Sequence, residues 1–174
     1  MAKVIISQCQ PVFDAAGECI AAAAGIGISA HACPKLADRW FNSVHWFGRA
    51  CLSDGDFVAV VMMVIALDVL CGGKQDQGII ELVARLTGTA KSASVLPDGT
   101  TLETLVKKSY QLRSEVAHGS VLALHETLDV ERGQLESVAA AALTEYVVAL
   151  ADYAKKGGAD DRDMFLASLP PANL

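Results

Sequence analysis

The most informative segment of this chain, for its fold and for its chemistry, reads Tyr110-Gln111-Leu112-Arg113-Ser114-Glu115-Val116-Ala117-His118-Gly119. It closes a helical pattern of apolar residues and places Arg113 and His118 five positions apart. A guanidinium binds phosphate oxygens through paired hydrogen bonds, and an imidazole gives or takes a proton near neutral pH. The two residues therefore predict a site that binds a phosphodiester and moves a proton without a metal ion.

Helix geometry leaves a structural alternative open. Residues five apart lie about 140° apart around an ideal helix, so Arg113 and His118 do not face one point by themselves. The length of the arginine, and unwinding of the helix at Gly119, would bring them together. In the alternative, Arg113 pairs with Glu115, Glu103 or another carboxylate, and His118 ends the helix through a backbone contact. Spacing alone favours this alternative.

The rest of the chain predicts helices around this one. Apolar residues recur at helical spacing over residues 35–51, 57–70, 78–86, 101–118 and 131–156. The second of these is apolar nearly all round, which predicts a central position, and Gly72-Gly73 should end it. Thr100 or Thr101 should cap the helix that carries Arg113. The sequence thus predicts an all-α bundle of about five helices in one domain.

The two ends of the chain differ from this pattern. Residues 1–36 are predicted to be an N-terminal extension with a short strand at Val4-Ile5-Ile6, and Pro34 should break any helix that runs on from it. Residues 37–157 form the predicted bundle. Residues 158–174 are predicted to be a tail with little order apart from a turn around residues 164–169.

Composition limits the classes of function. The chain has 174 residues, of which 52% are hydrophobic and 20% charged, which indicates a folded domain. A net charge of −6 argues against a broadly basic surface that coats nucleic acid, but it leaves room for a small local site. The apolar run from Val58 to Leu67 is too short to span a bilayer and the N-terminus lacks a signal-peptide core, so no membrane association is predicted.

Cysteine and histidine usage predicts no cofactor and no metal. Five cysteines without a paired spacing indicate reduced thiols and a cytoplasmic protein, with Cys51 and Cys71 buried on apolar helix faces. His125-Glu126 lacks the second histidine of a zinc helix and is predicted to be a surface pair. His31 and Cys33 have no further ligand at a suitable spacing. The segment at residues 88–92 lacks the glycine that a phosphate-binding loop carries before its lysine.

Several motifs, taken in order, resemble one family. They are Trp40, Trp46-Phe47-Gly48-Arg49-Ala50, Asp56, Ala66-Leu67-Asp68-Val69-Leu70 and the stretch at 110–119. Over roughly residues 38–153 the chain resembles the Apea-like branch of the HEPN superfamily (higher eukaryotes and prokaryotes nucleotide-binding domain). That branch has an Ala-Leu-Glu-x-Leu helix and a Tyr-x-x-Arg-Ser-x-x-x-His-Gly signature. Two departures stand out: Asp68 replaces the usual Glu, and Ser114 follows the arginine where active nucleases usually carry Asn, Asp or His.

The resemblance implies a four- to five-helix bundle that commonly forms a homodimer. In active relatives the Arg and His of both subunits meet in a cleft and cleave RNA without metal, by attack of the 2′-hydroxyl on the adjacent phosphate. Arg113 would then stabilise the transition state and His118 would act as general acid or base. We assign Tyr110, Ser114 and the helix-face pair Lys107-Lys108 to substrate binding.

The predicted function is therefore a metal-independent endoribonuclease in defence or toxin-type RNA processing. RNA, a second copy of the chain and an antitoxin or other partner protein are the predicted partners. Two alternatives remain: a non-catalytic helical dimerisation or interaction module, favoured by Ser114 and the acidic charge, and a sensor of nucleotide phosphates.

Overall fold

The computed structural model describes residues 2–24, 31–118 and 128–172, without the side chains of residues 2–8 and 117. These residues form seven helices and no strand, which confirms the predicted all-α helical bundle for this part of the chain. The helices are α1 (Ala2–Ala23), α2 (Pro34–Cys51), α3 (Asp56–Cys71), α4 (Gln75–Thr87), α5 (Leu102–Ala117), α6 (Asp129–Lys155) and α7 (Arg162–Ser168).

The helix α3 lies at the centre of the bundle, as its apolar sequence predicted. It packs against α2, α4, α5 and α6, and Met63, Leu67 and Leu70 are fully buried. Its charged residues are Asp56 in the first turn and Asp68 in the last. The predicted end of this helix is also confirmed, because Gly72, the residue after it, adopts a left-handed conformation with φ of 79°.

The start of α5 follows the predicted capping chemistry. The Thr101 side chain precedes the helix, and its Oγ1 accepts a hydrogen bond from the backbone N–H of Thr104 at 3.2 Å. Two other helix starts differ by a few residues from the sequence prediction. The helix α4 begins at Gln75 rather than at Gly78, and α6 begins at Asp129 rather than at Glu131.

The strand predicted at Val4-Ile5-Ile6 is wrong, because these residues lie within α1. A strand needs a neighbouring strand to pair with, and none exists among the described residues, whereas a helix satisfies its backbone internally. The helix α1 packs on α2 and α6 and adds Cys19 to the shared core. The helix α2 begins with Pro34 in its first turn, so the boundary predicted at residue 36 falls inside α2.

The C-terminal segment packs onto the bundle through α7. Phe165 is 1% exposed, and its ring meets Tyr146 and Tyr153 edge to face at centroid distances of 4.9 and 5.3 Å. Just before this helix, the Asp160 carboxylate accepts hydrogen bonds from the backbone N–H groups of Lys35 and Leu36 at the start of α2, at 2.9 and 3.1 Å. Residues 160–169 thus cover one end of the bundle.

The predicted burial of two cysteines is right for one of them. Cys71 is buried, but Cys51 is exposed, because it is the last residue of α2 and its side chain lies beyond the core. Burial raises the pKa of the Cys19 thiol to about 11, with a smaller contribution from the Glu18 carboxylate.

Two segments meet the length and composition of a membrane span. One is α6, and the other is α3 together with α4, which meet at a bend of 74°. Both contribute core residues to the bundle, and the core helix of a globular protein meets the same criterion. This observation is weak evidence for a span.

The packing of α7 predicts a large effect of truncating Phe165. We expect Phe165→Ala to lower the free energy of unfolding by about 3–5 kcal/mol, because it leaves a cavity between two tyrosine rings. Met164→Ala is the matched control: this neighbour is 59% exposed and should change stability by less than about 0.5 kcal/mol. Urea unfolding of both variants measures the difference. Equal stability of the two would show that α7 does not contribute to the cooperative core.

Candidate functional site

The Arg113 side chain is positioned by two other helical residues. Its Nη1 lies 3.7 Å from Oδ2 of Asp68 on α3, and its Cζ lies 5.3 Å from the centre of the Tyr110 ring, one turn earlier on α5. A cation above an aromatic face is attracted by the ring's negative charge distribution. The partner is thus neither Glu115 nor Glu103 but another carboxylate, which the structural alternative also allowed. The pairing with Asp68 joins α5 to the last turn of the central helix.

The guanidinium of Arg113 remains open to further binding. Its distance to Asp68 exceeds that of a hydrogen bond, and it donates none to any described residue. Its side chain is 32% exposed. Other arginines donate hydrogen bonds within the bundle: Arg132 donates to Asp56 at 3.1 Å, and Arg162 donates to the carbonyl of Cys71 at 2.9 Å. Arg113 is therefore held in place while its donors stay available.

His118 lies at the C-terminal end of the same helix, with its side chain exposed. Its backbone N–H still donates to the carbonyl of Ser114 at 3.0 Å, which keeps the helical pattern up to this residue. Its ring makes no hydrogen bond to any described residue. An accessible imidazole can exchange protons with a bound molecule.

Arg113 and His118 lie on different faces of α5. The helical hydrogen bond at His118 shows that α5 keeps its helical path up to that residue, whereas the unwinding predicted at Gly119 falls outside the described residues. The two positions therefore keep the separation of about 140° around the helix axis. Arg113 faces α3, whereas His118 follows the face of Gln111 and Glu115. Gly119, the predicted stop, and His125-Glu126 lie outside the described residues.

The predicted binding residues fall on different sides of α5. Tyr110 supports Arg113 directly. Ser114 is exposed, and its carbonyl accepts the His118 N–H. Lys107 is paired with Glu103 at 2.6 Å; this hydrogen bond raises the pKa of Lys107 and lowers that of Glu103. The charge of Lys107 is thus largely compensated.

Lys108 lines a cleft between α5 and the first turns of α6, which we call the α5–α6 cleft. The cleft has a volume of about 300 Å³. Its polar lining includes Lys108, Ser109, Gln111, Glu115, Glu131 and Gln134. The loop before α5 adds Asp98, whose pKa is lowered chiefly by a 2.9 Å hydrogen bond from the Thr100 N–H. Sequence reasoning missed this cleft because its residues come from three separate segments.

A second polar cluster joins α1 to α2. The backbone N–H of Cys33 donates to Nδ1 of His31 at 3.0 Å, so in the neutral ring the hydrogen sits on Nε2. That Nε2 lies 4.0 Å from Sγ of Cys19. Cys19 is the neighbour that sequence spacing did not reveal. Among the described residues, no three His, Cys, Asp or Glu side chains converge as a metal site would require.

Comparison with known proteins adds no relative. No protein-family model, no curated protein and no solved structure matches the chain. The resemblance to the Apea-like branch therefore depends on the motifs between residues 38 and 153 alone.

The loose contact between Arg113 and Asp68 predicts a small stability effect. We expect Asp68→Asn to change the free energy of unfolding by less than about 1 kcal/mol, because the pair is partly exposed and not hydrogen-bonded. Asp56→Asn is the matched comparison on the same helix. It removes the negative charge that strengthens the 3.1 Å hydrogen bond from Arg132 and that favours a helix N-terminus, and should cost about 1–2 kcal/mol.

Chemical denaturation of the two variants measures this difference. A larger loss of stability for Asp68→Asn than for Asp56→Asn would contradict the inference that the Arg113 guanidinium is available to a ligand. It would indicate that Arg113 is mainly structural.

Proposed function

We propose that this chain is a HEPN-like, metal-independent endoribonuclease that acts as a homodimer. In this proposal Arg113 binds the scissile phosphate and His118 transfers a proton. The observation that carries it is the state of Arg113, which is oriented by Tyr110 and Asp68 but donates no hydrogen bond to a described residue. A positioned guanidinium with available donors is what binding of a phosphate requires.

The position of His118 supports the proton-transfer role. It is exposed at a helix end, and its ring is not engaged by a described residue. A general acid or base must reach the reacting oxygen within about 3 Å once the substrate is bound. An accessible imidazole meets that need, whereas a buried and hydrogen-bonded one does not.

The requirement for two copies follows from the helix geometry. Arg113 and His118 of one chain point about 140° apart. A second chain that packs against this part of α5 would place its own His118 opposite the first Arg113. The homodimer is thus part of the proposed mechanism.

The proposed reaction breaks one bond of the RNA backbone. The 2′-oxygen attacks the adjacent phosphorus and loses its proton to a base, while the bond from phosphorus to the 5′-oxygen breaks and that oxygen gains a proton. The products are a 2′,3′-cyclic phosphate and a free 5′-hydroxyl. Arg113 would offset the negative charge that grows on the phosphate oxygens, and His118 would provide one of the two proton transfers.

A second candidate function has an observation of its own. The ion pair between Arg113 and Asp68 ties two helices together, which fits a non-catalytic interaction module. The residues Phe13 and Ile20 lie two turns apart on α1 and are 62% and 47% exposed, so α1 offers an apolar surface to a partner. In that case, substitution of His118 would leave partner binding unchanged.

Cleavage of single-stranded RNA in EDTA tests the nuclease proposal. We expect the wild-type chain to produce cyclic-phosphate ends, and His118→Ala to reduce the rate by about 10²–10⁴-fold. Arg113→Ala should also lose activity, and a substrate with 2′-deoxyribose at the cleavage position should remain intact. Gel electrophoresis and mass spectrometry of the fragments report both outcomes.

The matched control is His45→Ala, since His45 is an exposed histidine on α2. It should cleave at the wild-type rate. Equal cleavage by wild type and His118→Ala would show that the activity does not come from this site.

A further inference from the structure

The α5–α6 cleft has the wrong charge for a phosphate. It is lined by the carboxylates of Asp98, Glu115 and Glu131, against the single ammonium of Lys108. Phosphate sites instead concentrate Arg, Lys and backbone N–H groups. A ligand of this cleft is therefore uncharged or positively charged, and carries hydrogen-bond donors for the carboxylates.

One hydroxyl in the wall of the cleft has no hydrogen-bond partner among the described residues. Ser109 is 4% exposed, lines the cleft, and its hydroxyl makes no hydrogen bond to any described residue. A ligand atom in the cleft can therefore pair with this hydroxyl without breaking a hydrogen bond within the described residues. Glu131 and Gln134 also make no side-chain hydrogen bond to a described residue. By contrast, Glu115 accepts a bond from Gln111 at 2.7 Å.

The size and the apolar part of the cleft limit the ligand further. Its volume of about 300 Å³ is at the lower end of small-molecule sites, which span about 300–1,000 Å³. Leu105, Leu112 and Val130 supply apolar surface beside the polar groups. A small planar ring with polar edges satisfies both kinds of wall.

We propose that the α5–α6 cleft binds an amino-bearing nucleobase: cytosine, adenine or guanine. The exocyclic amino group would donate to the Glu131 carboxylate, and a ring nitrogen or carbonyl would accept from Ser109 or Lys108. Carboxylates read such amino groups, and unpaired RNA bases are recognised on their hydrogen-bonding edges. Uracil has no amino group and would bind less well.

The cleft lies on the same helix as Arg113 and His118. The inference that its ligand is a base of RNA rests on the proposed nuclease function. Gln111 and Glu115 line the cleft, and His118 follows them at spacings of seven and three residues, which keeps all three on one helix face. A base held in the cleft would lie along the face that ends at His118. The cleft would then select the nucleotide next to the cleaved bond.

Titration of the full chain with free nucleosides, followed by NMR of the backbone amides, tests the cleft without any cleavage. Cytidine, adenosine and guanosine should shift the amides of Ser109 and Gln134 in a saturable way. Uridine should bind about 10-fold or more weakly, because the hydrogen bond to a charged acceptor is lost. Glu131→Gln should weaken cytidine binding by a similar factor. Glu145→Gln, an exposed acid on α6 that does not line the cleft, is the control and should bind as wild type does.

Uridine binding equal to cytidine binding, an unchanged affinity in Glu131→Gln, or no shift at the cleft with any nucleoside would each overturn the proposal. Competition by a short cytidine-containing RNA would identify RNA as the source of the base, and its absence would identify the free nucleoside. His118→Ala should retain nucleoside binding. Loss of RNA cleavage and loss of nucleoside binding in the cleft are therefore separate results.

Discussion

The arrangement of the bundle depends on the need to cover α3. Between Asp56 and Asp68 this helix carries no charged residue, so it has no polar face to turn to water. Four helices pack around it as a consequence. Its two acidic residues lie at its ends, and each is met by an arginine from a covering helix, Arg132 from α6 and Arg113 from α5. The position of the candidate phosphate-binding residue is thus set by the central helix.

The same packing separates the two residues that the sequence suggested as a pair. One side of α5 rests on α3 and carries Arg113, while another side borders the α5–α6 cleft and leads to His118. Around the helix axis, the two positions are about 140° apart. In the proposed reaction, a second chain would therefore supply one of the two residues.

Much of the fold was predictable because it depends on local signals. The apolar character of α3, the glycine after it and the cap at Thr101 act within a few residues. The strand prediction at Val4-Ile5-Ile6 was wrong because short apolar stretches fit a helix and a strand equally well. The helix α7 has only seven residues, too few to show a period, and its stability comes from contacts of Phe165 with α6.

The candidate site was predictable only in part. The motif identified Arg113 and His118, but the partner of Arg113 lies 45 positions away in the sequence, on another helix. From the sequence, Ser109 is one more helical residue; tertiary packing places it in a cleft, where it has no hydrogen-bond partner among the described residues. No sequence pattern pointed to the role of Asp160 either. Its bonds to α2 span 125 and 124 residues, so on the ribosome the first turn of α2 emerges long before the group that caps it. Residues 160–169 therefore close this end of the bundle only after the helices α1 to α6 have been synthesised.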